Sequence, residues 1–188
     1  MNMKIWKIIS SFIILILSSL IHFVYDIFPN NLTALFFNVN ESIWEHNKMI
    51  TLAFFIFMII EVIKFKKSNK NVIFNNIISC LSCILFVLLI FTPIYFYILK
   101  KKESFIITII IYYIAILFSQ FISYKLYEFN YNYKLNYISI ILWLILFITN
   151  AYLTFKPLKL PIFYDYSKNG YGIISVQVSS KFTNTIII

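Results

Sequence analysis

Five long apolar runs constrain the fold of this chain more than any other feature of its sequence. They cover residues 8–28, 46–63, 72–99, 104–124 and 136–155. Because a helix rises about 1.5 Å per residue, roughly 20 apolar residues cross a bilayer core of about 30 Å. Backbone groups in hydrocarbon must also pair with one another, and a helix satisfies them internally. The runs therefore predict five membrane-spanning helices.

The composition supports the same class of protein and excludes a soluble one. Hydrophobic residues make up 61% of the 188 residues and charged residues only 12%, whereas an ordinary globular protein has about 25% charged residues. The runs are apolar on every side and lack the alternation of barrel strands. We therefore expect an all-α integral membrane protein. Residues 1–155 form the transmembrane bundle, and residues 156–188 form a short extramembrane tail.

The tail differs in character from the bundle. It contains four turn-forming residues: Pro157, Pro161, Gly170 and Gly172. Residues 172–179 alternate partly between apolar and polar side chains, which predicts one short strand.

All sixteen basic residues are lysines, and the formal net charge is +9. The lysines lie in short clusters beside the apolar runs. Lysines in such positions set the orientation of a membrane protein and contact lipid head groups. We therefore predict the lipid bilayer as the partner and exclude nucleic acid, while a protein partner and the oligomeric state stay open.

The distribution of lysines predicts an orientation. Two lysines precede the first run, and four follow the second at positions 64–70, whereas the loop at 29–45 carries two glutamates and no lysine. The positive-inside rule then places the N-terminus in the cytoplasm and the loop and tail outside a plasma membrane. The lysines at 100–102 oppose this orientation, because they would also lie outside.

Five ionisable residues lie where the first run ends and the second begins. They are His22, Asp26, Glu41, Glu45 and His46. The first two are four residues apart, as are the two glutamates, so each pair falls on one helix face. Ionisable side chains at membrane depth are costly and therefore indicate a function. We predict that these five meet at the outer ends of the first two helices as a catalytic site.

The same residue types are suited to a metal ion. Imidazole nitrogen and carboxylate oxygen are ligands for both Zn²⁺ and Fe²⁺. The predicted metal ligands are His22, Glu41, Glu45 and His46. Alternatively, His46 acts as a general base that a carboxylate orients. The chain has no HExxH pattern, so it does not match a common zinc-protease motif.

A structural interpretation competes with the functional one. Ser42 and Glu45 have the spacing of a capping box, which would close the start of the second helix. Glu41 precedes the same helix, where the helix dipole favours a negative charge. His22 and Asp26 would then simply pair near the membrane surface.

Two blocks of sequence carry a resemblance to a known family. One is residues 40–46 (NESIWEH), and the other comprises residues 161–163 (PIF), Asp165 and residues 170–173 (GYGI). They resemble an uncharacterised family of small bacterial multi-pass membrane proteins, known as a domain of unknown function. The resemblance implies an integral membrane protein and no particular reaction.

Two positions depart from that family. Asn38 and Tyr166 stand where the resemblance leads us to expect proline. The departures loosen the expected turns and leave the charged positions unchanged.

Other polar residues within the runs have mainly structural interpretations. Cys80 and Cys83 form a CxxC pair, which is read either as a redox pair or as small residues that allow close helix packing. Glu61 is expected to pair with Lys64, one turn away. Four amides are expected to bond across helices: Asn75, Asn76, Gln120 and Asn150. Pro93 is expected to kink the third helix.

Three classes of function remain open from the sequence. The first is an enzyme or metal site of hydrolase-like character at the outer membrane face. The second is a small transporter or channel component, which requires a continuous polar path from Glu61 to the ionisable cluster. The third is a non-enzymatic assembly protein that binds a partner through its tail or first loop. Whether the chain is an enzyme stays open at this stage.

Overall fold

The computed structural model of this protein describes residues 2–65, 71–102, 104–128 and 134–173. Within these ranges, five helices are long and apolar enough to cross a membrane. They run over Met3–Ile27, Ile43–Lys64, Val72–Ile98, Phe105–Tyr127 and Lys134–Phe155. The predicted all-α membrane bundle is confirmed, and each helix covers nearly all of the apolar run that predicted it.

The first span and the loop after it contain three helices. α1 covers Met3–His22, and α2 covers Val24–Ile27 after a one-residue turn. α3 covers Asn31–Phe36 and begins with a reciprocal cap. The side chain of Asn30 accepts a hydrogen bond from the backbone N–H of Thr33, whose hydroxyl accepts one from the N–H of Asn30. The cap satisfies backbone donors that the start of a short helix leaves free.

The four remaining long helices form the rest of the bundle. They are α4 (Ile43–Lys64), α5 (Val72–Phe86), α6 (Phe105–Tyr127) and α7 (Lys134–Phe155). α4 packs against α1, α5 and α7, and α6 packs against α1 and α5. α5 also packs against α7, so it too contacts three long helices. α4 is the most buried of the five spans, and its Phe54 and Phe57 are fully buried in the core.

The two ends of the bundle hold different polar groups. We call the end that contains His22 and His46 the site end. We call the end that contains Lys7 and Glu61 the lysine end. Successive helices run in opposite directions between these ends, because short connections join antiparallel neighbours.

α5 continues toward the site end through two π-helical segments, Val87–Phe91 and Ile94–Ile98, which flank Pro93. Proline has no N–H to donate to the preceding turn, so the regular ladder is interrupted there. The N–H of Thr92 bonds to the carbonyl of Val87, five residues back. The kink predicted at Pro93 stays a prediction, and what the structure shows around this residue is π-helical turns, which often occur at functional sites.

Glu61 is fully buried at the lysine end. Its carboxylate accepts hydrogen bonds from Trp6, Lys7, Asn76 and Tyr127. The Nζ atom of Lys7 lies 2.5 Å from Oε1 of Glu61. The predicted pair between Glu61 and Lys64 is therefore wrong. The carboxylate faces the bundle interior, whereas Lys64 is exposed and places its ammonium over the ring of Trp6 at 4.0 Å.

Three of the four amides expected to bond across helices do so. The bonds run from Asn76 to Glu61, from Gln120 to Ser79 and from Asn150 to Thr51. The side-chain oxygen of Asn75 is buried and has no partner within the described residues. Such interhelical bonds contribute about 0.6–2 kcal/mol each in membranes.

Cys80 and Cys83 are free thiols that are fully buried in α5. A redox pair needs access to a partner thiol or disulfide. Burial therefore favours the packing interpretation of these small residues.

The described part of the tail folds into a short turn and a hairpin. A 3₁₀ helix covers Pro161–Phe163, and strands β1 (Tyr164–Asp165) and β2 (Gly170–Tyr171) pair antiparallel. The strand predicted at 172–179 falls outside the described residues from position 174 onward. Its first two residues form a bend rather than a strand.

The tail docks on the first loop at the site end. Phe163 stacks on Trp44 with ring centroids 4.8 Å apart. The amide of Asn40 donates to the carbonyl of Gly172 at 2.8 Å. These contacts join segments more than a hundred residues apart and place the tail beside the residues of the candidate site.

Candidate metal centre

His22, Glu41 and His46 come together at the site end. One possible ligand atom from each residue lies within 4.8 Å of the other two. Nε2 of His22 is 3.6 Å from Oε1 of Glu41, and Nε2 of His46 is 3.5 Å from Oε2 of the same carboxylate. All three side chains are partly buried. We call this group the His–Glu–His cluster.

The spacing within the cluster is informative. Hydrogen bonds between nitrogen and oxygen usually measure about 2.7–3.2 Å, so the two imidazoles stand too far from the carboxylate for good direct bonds. Ligands around a tetrahedral Zn²⁺, with bonds of about 2.0–2.1 Å, lie about 3.3 Å apart. The two separations between imidazole and carboxylate, one to each oxygen of Glu41, are close to this value, and all three candidate ligand atoms lie within 4.8 Å of one another.

Three elements bring the cluster together. His22 is the last residue of α1, His46 lies in the first turns of α4, and Glu41 lies in the loop directly before α4. The hydroxyl of Ser42 caps α4 by accepting a hydrogen bond from the N–H of Glu45 at 3.3 Å. The cap fixes the start of the helix, and thereby the distance between Glu41 and His46.

The tail holds the backbone of Glu41. The N–H of Glu41 donates to Oδ2 of Asp165 at 3.0 Å. The other oxygen of Asp165 accepts bonds from the hydroxyl and N–H of Ser167 and from the N–H of Lys168. Burial alone would raise the pKa of Asp165, but the bonds from Ser167, Glu41 and Lys168 outweigh it and lower the pKa below its usual value. Asp165 is therefore a charged anchor for the loop.

The hydrogen bond of His46 suits a metal ligand. Its Nδ1 lies 3.0 Å from the carbonyl oxygen of Ser42. A carbonyl only accepts hydrogen bonds, so Nδ1 carries the proton and the neutral ring keeps a lone pair on Nε2. Nε2 is the atom that faces Glu41. Metal-binding histidines in proteins are commonly oriented in this way.

His22 is oriented by Asn38, whose Nδ2 lies 2.9 Å from Nδ1 of the imidazole. In this arrangement Nδ1 accepts, so the neutral ring carries its proton on Nε2. A rotation of the Asn38 side-chain amide by 180° exchanges the positions of its oxygen and nitrogen. The oxygen then accepts from Nδ1, and the lone pair on Nε2 becomes available to a metal. The Oδ1 atom of Asn38 is buried without a partner among the described residues. The rotated amide would give this oxygen a hydrogen bond from Nδ1 of His22.

Glu45 faces away from the cluster. Its Oε2 pairs with Nζ of Lys48 at 2.6 Å, and its Oε1 accepts from the hydroxyl of Thr154 at 2.7 Å. Lys48 also donates to the carbonyl of Ala34. Only half of the predicted capping box forms, because the carboxylate of Glu45 bonds to Lys48 rather than to the N–H of Ser42. That N–H donates to Asn40 instead. Glu45 thus joins the first loop, α4 and α7.

Asp26 lies outside the cluster as well. It is exposed in α2, one turn beyond His22. The imidazole of His22 faces Glu41, with its Nε2 3.6 Å from Oε1 of that carboxylate. The structure therefore brings together three of the five residues that the sequence singled out.

A cavity of about 190 Å³ opens beside the cluster. It lies between α1, α4, α6 and the π-helical end of the third span, and the three cluster residues form part of its wall. Most of the remaining wall is apolar, including Leu15, Met49, Phe91 and Ile116. A small molecule in this cavity would contact both the cluster and an apolar surface.

Tyr112 adds a polar group to the cavity wall. Its ring centroid lies 5.8 Å from that of His46. Its hydroxyl is buried and has no hydrogen-bond partner within the described residues. Buried hydroxyls normally have partners, so Tyr112 holds a hydrogen-bonding group next to His46 that the described residues leave unused.

Residues 1–173 match DUF6512, which is described as a family of unknown function. The chain belongs to this family. Comparisons with curated proteins and with solved structures found no match. The resemblance noted in the sequence is thus confirmed as membership of a family of unknown function. The DUF6512 match includes the cluster, the cavity wall and the hairpin that anchors Glu41.

Three residues of this DUF6512 chain were missed as parts of the site. Asn38 was noted only as a departure from an expected proline, yet it contacts His22. Tyr112 resembles any other aromatic residue of an apolar run. Asp165 lies 124 residues from Glu41. Asp165 lay in the second sequence block, which was the available signal, but no local pattern predicted its partner.

Proposed function

We propose that this DUF6512 protein is a membrane-embedded metalloprotein of hydrolase-like character. His22, Glu41 and His46 hold one divalent cation, Zn²⁺ or Fe²⁺. The observation that carries the proposal is the spacing of 3.5–3.6 Å between each imidazole and the carboxylate. That spacing is long for hydrogen bonds and fits ligands that share an ion.

The number of ligands supports a reactive centre over a structural one. Structural zinc sites usually have four protein ligands, whereas catalytic sites have three and leave a position for water or substrate. Two histidines and one glutamate form a ligand set that occurs in catalytic zinc sites. The cavity beside the cluster provides space for the fourth ligand.

The chemistry follows from the open position. A cation such as Zn²⁺ would lower the pKa of a bound water to about 7 and polarise a carbonyl or phosphoryl group. The buried surroundings strengthen such electrostatic effects, because little water screens them. Hydrolysis of a polarised bond is the reaction class that this arrangement suits best.

The test is the metal content of the full-length protein after purification in detergent without a metal-affinity tag. We expect about one equivalent of metal in the wild type. We expect at least a tenfold lower content in His46→Ala and in Glu41→Gln, because each loses one of three ligands. Replacement of the metal by Co²⁺ should give the visible absorption of a tetrahedral site.

Asp26→Asn is the matched control, because it removes a nearby carboxylate that lies outside the cluster. It should keep the metal content of the wild type. Thermal unfolding of each variant shows whether a loss of metal reflects a loss of fold. An equal, near-zero metal content in folded wild type and folded His46→Ala would overturn the proposal.

The transporter alternative receives less support from the described residues. It requires a polar path between Glu61 and the cluster. α4 carries a stripe of fully buried apolar residues between them, comprising Ile50, Phe54 and Phe57. From His46 through this stripe to Glu61, successive residues are four, four, three and four positions apart. These intervals place all of them on one face of α4. Apolar side chains thus occupy the direct line between the two polar ends.

A further inference from the structure

The cavity beside the cluster lies at membrane depth. Every residue that lines it, apart from Glu41, belongs to one of the spanning helices. α1 and α6 touch toward its inner end, where the rings of Phe12 and Tyr113 are 5.3 Å apart. The cavity therefore occupies the space between these two helices toward the site end.

The rim of the cavity is apolar and exposed. Phe23 of α1 and Phe105 and Ile109 of α6 line the cavity, and they are 53%, 75% and 37% exposed. Within a spanning segment, exposed apolar side chains face lipid rather than water. A molecule with an apolar chain could therefore pass from the bilayer into the cavity without crossing water.

The wall changes in polarity from one part to another. Leu15, Met49 and Ile116 supply apolar surface, while the cluster and the unpartnered hydroxyl of Tyr112 supply polar groups. Ligand sites commonly combine an apolar lining with a few polar groups that fix orientation. The arrangement fits a molecule that has an apolar chain and an oxygen-bearing head.

We propose that the cavity binds a membrane amphiphile by its apolar chain, with the head group at the His–Glu–His cluster and a hydrogen bond from the hydroxyl of Tyr112. This inference rests on the proposed metal function and names its substrate class. An engineered apolar cavity of about 150 Å³ accommodates benzene. The 190 Å³ available here therefore holds a short stretch of chain, and the rest extends past the rim into lipid.

The probes are two hydroxamic acids, which bind metals through the same head group and differ only in their chains. Acetohydroxamic acid has one methyl group, and octanohydroxamic acid has a seven-carbon chain. With the zinc-loaded, full-length protein in detergent, we expect octanohydroxamic acid to bind at least tenfold more tightly. Isothermal titration calorimetry measures both dissociation constants.

Two neighbouring isoleucines of α6 provide the matched variants. Ile109 lines the cavity, whereas Ile110 does not and is 52% exposed to lipid. Ile109→Trp should fill the rim and reduce the preference for the longer chain to less than threefold, with unchanged metal content. Ile110→Trp should keep the wild-type preference. If Ile109→Trp does not fold, Thr108→Phe is used in its place, because Thr108 also lines the cavity.

Tyr112→Phe tests the head-group contact. Loss of one hydrogen bond should weaken both hydroxamic acids about fivefold. The metal content should not change, and thermal stability should stay equal or rise, because the hydroxyl has no partner within the described protein. A lower stability with unchanged hydroxamate binding would assign Tyr112 a structural role and overturn that part of the proposal.

The outcomes separate this inference from the metal function. If the purified wild-type protein contains no metal, the proposed metal function is overturned. The metal-free protein is then labelled with a photoreactive diazirine analogue of octanol, which tests the cavity alone. Labelling of the peptides that carry Leu15 and Ile109 supports the apolar-chain site, and its absence overturns it. If metal is bound, the apolar-chain site is also overturned when wild type and folded Ile109→Trp prefer octanohydroxamic acid to the same degree.

Discussion

At the residue scale, Glu41 and Glu45 illustrate how two carboxylates at the start of one helix acquire different roles. Glu41 and Glu45 are four residues apart, and the sequence placed both at a metal. Glu41 faces two imidazoles, whereas Glu45 pairs with Lys48 in the buried interior. The decisive factor is Lys48, which lies one turn after Glu45 on the same helix. A buried ammonium requires a counter-charge, and this carboxylate is the nearest one.

We predict that Glu45→Gln keeps the metal and loses stability. The change leaves the ammonium of Lys48 buried without its counter-charge, which typically costs about 3–5 kcal/mol. Thermal unfolding and metal content, measured on the same detergent-purified sample, test both parts. Glu128→Gln is the control, because its pair with Lys125 is exposed and contributes little. Loss of metal from Glu45→Gln without loss of stability would contradict the assignment.

Asp165 makes a pH-dependent contribution to stability. Its pKa is lower in the folded protein than in the unfolded chain. The charged carboxylate therefore stabilises the fold above its unfolded pKa, and this contribution is lost as the pH falls through the folded pKa.

We predict that Asp165→Asn destabilises the protein by about 1–3 kcal/mol at neutral pH, through weakened hydrogen bonds to a charged group. The difference from wild type should begin to shrink below about pH 4, where the unfolded chain takes up a proton, and should disappear only once the pH falls below the lower pKa of the folded protein. Chemical unfolding at pH 7 and at lower pH measures the difference. Asp26→Asn should show no comparable effect, and a difference that grows as the pH falls would contradict the prediction.

Residue identity and local spacing predicted only part of the site. His22 and His46 were found because ionisable side chains are rare in apolar runs, and Glu41 was found because it lies in the loop that joins those two runs. Spacing could not separate Glu41 from Glu45, because the choice depends on which carboxylate is buried in the bundle. Glu45 pairs there with Lys48 of its own helix and makes a tertiary contact with Thr154 of α7.

At the element scale, the spanning helices were predictable because a single physical requirement defines them. The runs had to be about 20 residues long and apolar, and all five became helices. The hairpin of the tail was not predicted. Its strands, Tyr164–Asp165 and Gly170–Tyr171, have two residues each, too few for any alternation of side chains to be recognised. The π-helical turns around Pro93 were not predicted either, since the sequence predicted only a kink at this residue.

The tail depends on the backbone of Gly172. Its φ is +62°, and a Cβ at this position would lie 2.8 Å from the carbonyl oxygen of Thr154. The carbonyl of Gly172 also accepts the hydrogen bond from Asn40. The contact therefore needs a residue without a side chain.

We predict that Gly172→Ala destabilises the protein by about 1–3 kcal/mol, because the strained backbone adds to the steric contact. Hydrogen–deuterium exchange should increase in the hairpin and around Glu41, while the middle of α4 stays protected. Gly170→Ala is the matched control, since the positive φ among the described glycines belongs to Gly172. Equal exchange in both variants would contradict the role given to Gly172.

At the scale of the whole molecule, the described tail and the first loop lie at the same end of the bundle, with the candidate metal centre between them. The clusters of lysine in the sequence predict that this end faces away from the cytoplasm. Lys168 is exposed at the site end, and Lys125 is exposed at the lysine end. These two positions make the orientation measurable.

We predict that a cysteine at Lys168→Cys reacts with a membrane-impermeant maleimide in intact cells, whereas Lys125→Cys reacts only after permeabilisation. The wild type is the background control, because Cys80 and Cys83 are fully buried. The opposite pattern of labelling would reverse the orientation, and would place the candidate centre on the cytoplasmic side.

The bond between Glu41 and Asp165 has a consequence for biosynthesis. Translation delivers both imidazoles and the carboxylate with the first quarter of the chain, but the residue that fixes Glu41 emerges only after the fifth helix. A nascent polypeptide therefore carries the three candidate ligands before it carries the carboxylate that holds the backbone of Glu41. We therefore expect the candidate centre to reach its final geometry as one of the last events of assembly.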